Sequence, residues 1–207
     1  MIKFSKNTYF FISFNIVHQI QKRLYMSFEL KFSPVVIKHL GLSMYSTLPP
    51  VLAELITNSY DADASKVTIT VDQQNNSIEI LDDGCGMTAD ELNNNFLNVG
   101  RNRREKDNFI LTTKFNRKVT GKKGIGKLSV FGICKEIYVE SCKNKKINAL
   151  SMNYDELVNR SNEDNAPLIL TPDISNRDTQ EDSYTKIILK TLTRKSKVDV
   201  GNTADSI

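Results

Sequence analysis

Cysteine and histidine are scarce in this sequence. Its 207 residues include three cysteines, Cys85, Cys134 and Cys142, and two histidines, His18 and His39. The cysteines are odd in number and none stands in a CxxC pair, so neither a structural zinc site of the usual ligand spacing nor a secreted disulfide framework is supported. A chain of this length buries a core without staples, and these counts predict a cytoplasmic protein. A long hydrophobic run is also missing. Residues 9–17 resemble a signal-peptide core, but the run is too short to span a bilayer and no small-x-small cleavage site follows. No membrane partner is expected, and no repeat occurs at solenoid periods.

An excess of charge of one sign is absent once a single segment is set aside. The formal net charge is +4, yet residues 1–25 hold Lys3, Lys6, Lys22 and Arg23 with no acid, which leaves 24 basic and 24 acidic residues in the rest. The overall balance therefore gives no argument for nucleic acid. Residues 1–25 read as an extension, disordered or belonging to a misassigned start, because the better amphipathic texture begins at Met26. With 40% hydrophobic and 25% charged residues, the remainder reads as one globular domain.

The spacing predicts a helix over residues 50–63. Leu52, Leu55, Ile56, Ser59 and Tyr60 fall on one side at 100° per residue, and Glu54, Asn58 and Asp61 on the other. Alternating Val67, Ile69 and Val71, a QQNN turn, then Ile78 and Ile80 predict a hairpin. A short helix is expected around 88–97, in a polar stretch, 88–120, that suits a lid. Leu128, Val130, Phe131, Ile133 and Cys134 suit the start of a buried helix. Strands are expected at 137–140, 147–152 and 185–192, with a polar connection at 153–183 and a tail after 193.

Two glycine clusters carry the chemistry. In GKKGIGK, Gly121, Gly126 and Lys127 match G-x-x-x-x-G-K, but Leu128 stands where a P-loop needs a magnesium-binding hydroxyl, and the preceding KFNRKVT is no buried strand. A P-loop is thereby disfavoured. Asp82-Asp83-Gly84-Cys85-Gly86 fits D-x-G-x-G, which alone is equally a turn with Asp82 as a local cap. The helix adds a third element, because Glu54, Asn58 and Asp61 at i, i+4 and i+7 stack two carboxylates and an amide on one face. Singly, each reads as a solvated helix residue. Together they offer hard oxygens to Mg²⁺ and a water, while the glycine turns let backbone N–H groups approach phosphates.

ELITNSYDADA, DDGCGM, GKKGIGKLSVFG and YTKIILKTL, in this order, closely resemble the four motifs of the GHKL ATPases. That superfamily groups DNA gyrase, the heat-shock chaperone ATPases, histidine kinases and the MutL-type mismatch-repair ATPases. The resemblance spans residues 28–192 and implies the Bergerat fold, an α/β (α+β) two-layer sandwich whose mixed, mostly antiparallel sheet carries helices on one face. The E-x-x-x-N-x-x-D-A helix is nearer the chaperone, mismatch-repair and MORC-type groups than the histidine kinases. Neither histidine has the His-Glu-hydrophobic-Arg setting of a phosphoacceptor.

Carried over residue by residue, the resemblance implies that Glu54 is the general base for the attacking water and Asn58 the Mg²⁺ ligand. Asp82 would accept from the adenine amino group, supported by Thr185, a readout that guanine fails. Gly84 and Gly86 would keep the wall beside adenine thin, and Asp61 and Met87 would be further nucleotide-binding residues. Gly121, Gly124, Ile125, Gly126 and Lys127 would close over the phosphates. The expected organisation is an extension at 1–25, an ATP-binding domain at 26–193 with its lid at about 88–120, and a tail at 194–207. The expected function is slow, Mg²⁺-dependent hydrolysis of ATP coupled to lid closure, an ATP-dependent homodimer and a protein or DNA client. Related enzymes complete their site with a lysine from a second domain, for which no room is expected after residue 192. The alternative is therefore a catalytically weak pseudo-ATPase that gates partner binding, and a scaffold without nucleotide would require all four motifs to be coincidence.

Overall fold

The computed structural model describes residues 28–30, 47–97, 111–120, 130–160, 168–193, 198–204 and 206. Helix α1 (Leu48–Asp61) has prolines in its first turn, where a missing N–H costs no helical bond. It buries Leu48, Val51, Leu52, Leu55 and Ser59. The buried stripe is thus rotated from the expected one: Val51 belongs to it, Ile56 is half-buried and Tyr60 is 43% exposed. The helix ends as Ala62 N–H bonds the carbonyls of Asn58 and Ser59, and Asp63 turns the chain at φ +60°.

The expected hairpin is present as β2 (Val67–Asp72) and β3 (Ser77–Asp82), closed by Asn76 at φ +48°. The short helix expected around 88–97 is α2 (Ala89–Glu91), continued by a π-helical turn over Leu92–Phe96. Thr88 and Glu91 form a reciprocal capping box at its start. In place of a buried helix from 128, the described chain makes a single 3-10 turn at 130–132 and then enters β4 (Cys134–Lys143). β5 (Lys146–Asn153) pairs with it through a two-residue turn, Asn144 and Lys145, both at positive φ.

The connection expected at 153–183 contains α3 (Tyr154–Arg160), β6 (Leu168–Leu170) and β7 (Pro172–Asp178). β8 (Tyr184–Leu192) follows. At the end of the chain, α4 (Val200–Ala204) lies against α1, and Val198 is buried in the core.

The six-stranded sheet has the order β2-β3-β8-β4-β5-β7, with every neighbouring pair antiparallel. A separate pair joins β6 to β1 (Phe28–Leu30). One face of the large sheet supplies Ile78, Ile80, Ile187, Leu189, Val139 and Leu150 to a core completed by Leu52 and Leu55 of α1 and by Leu92 and Phe96. Each such side chain contributes about 1.5–3 kcal/mol by leaving water. The opposite face holds the exposed Leu81 and the half-buried Tyr138 and Lys186, so this is a two-layer α+β sandwich.

Candidate functional site

Asp82 ends β3 in the interior, with only 6% of its surface exposed. Ser59 Oγ lies 2.8 Å from Asp82 Oδ2 and 3.2 Å from the Leu55 carbonyl, and its single proton goes to the carboxylate, the stronger acceptor. Gly84 N–H donates to Oδ1 at 2.9 Å, and the Thr185 backbone N–H also bonds the carboxylate. A carboxylate offers about four acceptor positions, so three bonds from the described residues leave capacity for one more donor. Burial pushes the Asp82 carboxyl above its ordinary range, against the opposing pull of Ser59, Gly84 and Thr185.

Strand register carries this polarity across the sheet. Asp82 is opposite Thr185, Thr185 opposite Ser141, and Ser141 opposite Asn148. Ser141 Oγ is 3.2 Å from Thr185 Oγ1, donates to the Tyr184 carbonyl at 2.9 Å and accepts from Met87 N–H at 2.8 Å. The loop after β3 is thereby tied to the sheet. It is also tied to the end of α1, through Cys85 N–H to the Ala62 carbonyl at 2.8 Å. Asp83 accepts from the N–H groups of Ser65 and Lys66, both at 2.7 Å.

Two glycines make this loop possible. A Cβ on Gly86, at φ +60°, would stand 1.9 Å from the Cys142 carbonyl oxygen. A Cβ on Gly84 would meet the Ala62 carbonyl oxygen at 2.8 Å and Asp82 Oδ1 at 2.9 Å. Both positions thus need glycine for the loop to pack this closely against the end of α1 and the backbone of β4.

Glu54, Asn58 and Asp61 run along the flank of α1 beside its buried stripe, and all three are half-buried. Asp61 Oδ1 accepts from Thr120 N–H at 2.9 Å and Thr120 Oγ1 at 3.0 Å, which brings the residue preceding Gly121 onto this helix. Among the described residues no cluster of three or more His, Cys, Asp or Glu could hold a metal ion by itself. Asn58, half-buried on this flank, offers one amide oxygen, a donor type that fits Mg²⁺ when water and phosphate complete its shell.

The structure therefore brings Asp82, Gly84, Gly86, Met87 and Thr185 together at the end of α1 that carries Asn58 and Asp61. Gly121, Gly124, Ile125, Gly126 and Lys127 lie outside the described residues, as do 98–110 of the expected lid. Of the described ends of that lid, 88–97 is packed, with Ala89, Leu92, Phe96 and Leu97 buried, whereas 111–120 buries Thr112 alone. Ser59 falls on the apolar face of the helical pattern, which does not reveal its bond to Asp82. A hydroxyl on a buried stripe was the signal, since such a group needs a partner. Ser141 carried no signal beyond strand register.

A family model described as "Histidine kinase-, DNA gyrase B-, and HSP90-like ATPase" matches residues 45–185. "Putative type II restriction enzyme HgiDII" of Herpetosiphon aurantiacus is 33% identical over 175 residues, covering 84% of this chain and 27% of that protein. Chaperone protein HtpG of Ehrlichia ruminantium (strain Gardel) is 32% identical over 141 residues, covering 56% of this chain and 22% of the chaperone. HtpG of Anaplasma marginale (strain St. Maries) is 29% identical over 140 residues with the same coverage. The chain spans about a quarter of the length of these curated relatives.

Proposed function

We infer the function from family and site together: the chain belongs to the histidine kinase-, DNA gyrase B- and HSP90-like ATPase family, and its site supports binding of ATP with Mg²⁺ and hydrolysis to ADP and phosphate. The observation that carries this reading is Asp82, a buried carboxylate with one acceptor position left by the described residues, beside Gly84 and in register with Thr185. An exocyclic amino group satisfies that acceptor; a carbonyl oxygen in its place does not.

In this reading the adenine amino group bonds Asp82, and the ring lies along Gly84 and Gly86 with Met87 beside it. The triphosphate extends along α1 toward Asn58 and Asp61. Asn58 supplies the protein oxygen for Mg²⁺, which when bound neutralises phosphate charge. Glu54, one turn away, orients and deprotonates the attacking water. The second glycine cluster, Gly121 to Lys127 with Gly124, Ile125 and Gly126, contacts the phosphates, and closure of the lid at about 88–120 is coupled to these contacts. An ATP-dependent homodimer and a protein or DNA client belong to the same proposal. No helix among the described residues is long and apolar enough to cross a membrane.

Single-turnover hydrolysis tests the chemistry. Glu54→Ala is expected to keep ATP and lose about 10²-fold or more in rate, as removal of a general base does. Asn58→Ala should also lose the Mg²⁺-dependent part of binding. Wild-type turnover no faster than that of Glu54→Ala, with ATP still bound, would contradict the ATPase reading and leave a nucleotide-gated binding module.

A further inference from the structure

Residues 111–120, expected as part of a lid, are folded onto the C-terminal turn of α1. Leu111 bridges to Lys118, and Thr112 N–H bonds the Arg117 carbonyl at 2.9 Å while Thr112 Oγ1 accepts from Arg117 N–H at 2.9 Å. This closes a small hairpin. Asp63 holds it from below: its carboxylate accepts from Lys114 N–H at 2.8 Å and Phe115 N–H at 3.2 Å, and bonds the Thr112 side chain. Asp63 is 5% exposed and sits at φ +60°, so both its backbone shape and its side chain serve this contact. Arg117 grips the helix end from the other side. Its Nη1 donates to the Ala64 carbonyl at 2.7 Å and the Tyr60 carbonyl at 3.3 Å, and its guanidinium lies 4.6 Å from the Tyr60 ring and 4.4 Å from the Phe115 ring. Two residues beyond the hairpin, Thr120 is bonded to Asp61.

We propose that Asp63 and Arg117 are positioning residues for the phosphate side of the nucleotide site, clasping the 111–118 hairpin to α1 so that the chain reaches its second glycine cluster from a fixed point beside Asn58. The proposal rests on the reading of residues 121–127 as phosphate contacts. The geometry points to it because neither residue belongs to the glycine clusters or the Glu54-Asn58-Asp61 face, yet between them they make every helix-to-hairpin bond named above. Thr120 and Asn58 are both anchored to the same two turns of α1. A shift of that anchor by an ångström or so moves groups that need hydrogen-bond distances to phosphate oxygens.

The test uses the full chain with Asp63→Asn and Arg117→Ala. Asparagine keeps the volume of aspartate and tolerates positive φ, but turns one of its two acceptor oxygens into a donor facing a backbone N–H. Arg117 is half-buried, so its replacement tests the same clasp without altering a buried carboxylate. Hydrogen exchange at the amides of Lys114, Phe115 and Thr120, and affinities for Mg–ATP and for adenosine by ligand-observed NMR, are read on the same samples. Both variants should exchange faster at those amides and bind Mg–ATP about tenfold more weakly, the scale of one lost charge-assisted contact, while adenosine affinity changes less than about twofold. Wild-type affinity for Mg–ATP in both variants, or equal losses for adenosine and Mg–ATP, would overturn the positioning role. Failure of the wild-type chain to bind Mg–ATP would overturn the functional reading beneath it.

Discussion

Ser59 and Asp82 show how a single hydroxyl can decide what a carboxylate does. Among the described residues three donors keep Asp82 in place, and Ser59 is the one supplied by a side chain. Ser59→Ala should cost about 1–2 kcal/mol in urea unfolding, since it strips a bond from a buried charged group. Burial raises the Asp82 pKa above its ordinary value of 3.8. In the window between 3.8 and that raised value the folded chain holds a proton that the unfolded chain has released. Stability contributed by this group is therefore present at lower pH and is lost as pH rises through the window. Asp82→Asn should abolish that component of the pH–stability profile, and an unchanged profile would contradict the assignment. Gly86→Ala should destabilise more than an ordinary loop substitution, because the added carbon falls 1.9 Å from the Cys142 oxygen at a positive φ.

Strand β8 is the element on which the site depends. It lies between β3 and β4, and that placement puts Thr185 beside Asp82 on one side and Ser141 on the other. On the far face of the sheet its register with β4 is held by Glu140, which takes Lys186 Nζ at 2.6 Å, Tyr138 Oη at 2.6 Å and Tyr184 Oη at 2.8 Å. Burial acts to raise the Glu140 pKa, but the Lys186 ammonium and the two phenols outweigh it and hold the carboxyl below the usual range. A depressed folded pKa gives stability that is present above the ordinary glutamate pKa and is lost as pH falls through the folded value. Glu140→Gln should thus lower stability by about 1–3 kcal/mol near neutral pH and reduce its loss on acidification, read by urea unfolding from about pH 3 to 7.

The same elements show what the sequence made legible. α1, the β2–β3 hairpin, β4, β5 and β8 were readable because each buries one face and so alternates or repeats at its own period. β7 was not. It is a sheet edge with both faces largely exposed, so PDISNRD carries no alternation. α3 is seven residues long, and its start depends on Asn153 Oδ1 accepting from Asp155 and Glu156 N–H groups, a cap hidden within a polar run. The 111–118 hairpin is fixed by Asp63 from 51 and 52 residues away, and local pattern cannot encode such bonds. The site residues of the first glycine cluster were legible as a motif, whereas Ser59 and Ser141 became readable only through packing and register.

At the scale of the whole molecule, helices on one face of an antiparallel sheet leave the end of α1, the end of β3 and the Thr185 region of β8 at one place, where the proposed nucleotide site lies. The central claim is that this place recognises adenine through Asp82. Calorimetric titration of Mg–ATP and Mg–GTP into wild-type and Asp82→Asn protein tests it most directly. ATP should bind wild type at least about tenfold more tightly than GTP, a margin set by one buried polar group left unpaired, and Asp82→Asn should erase most of that preference. Equal affinities of ATP and GTP for the wild-type chain would contradict the account.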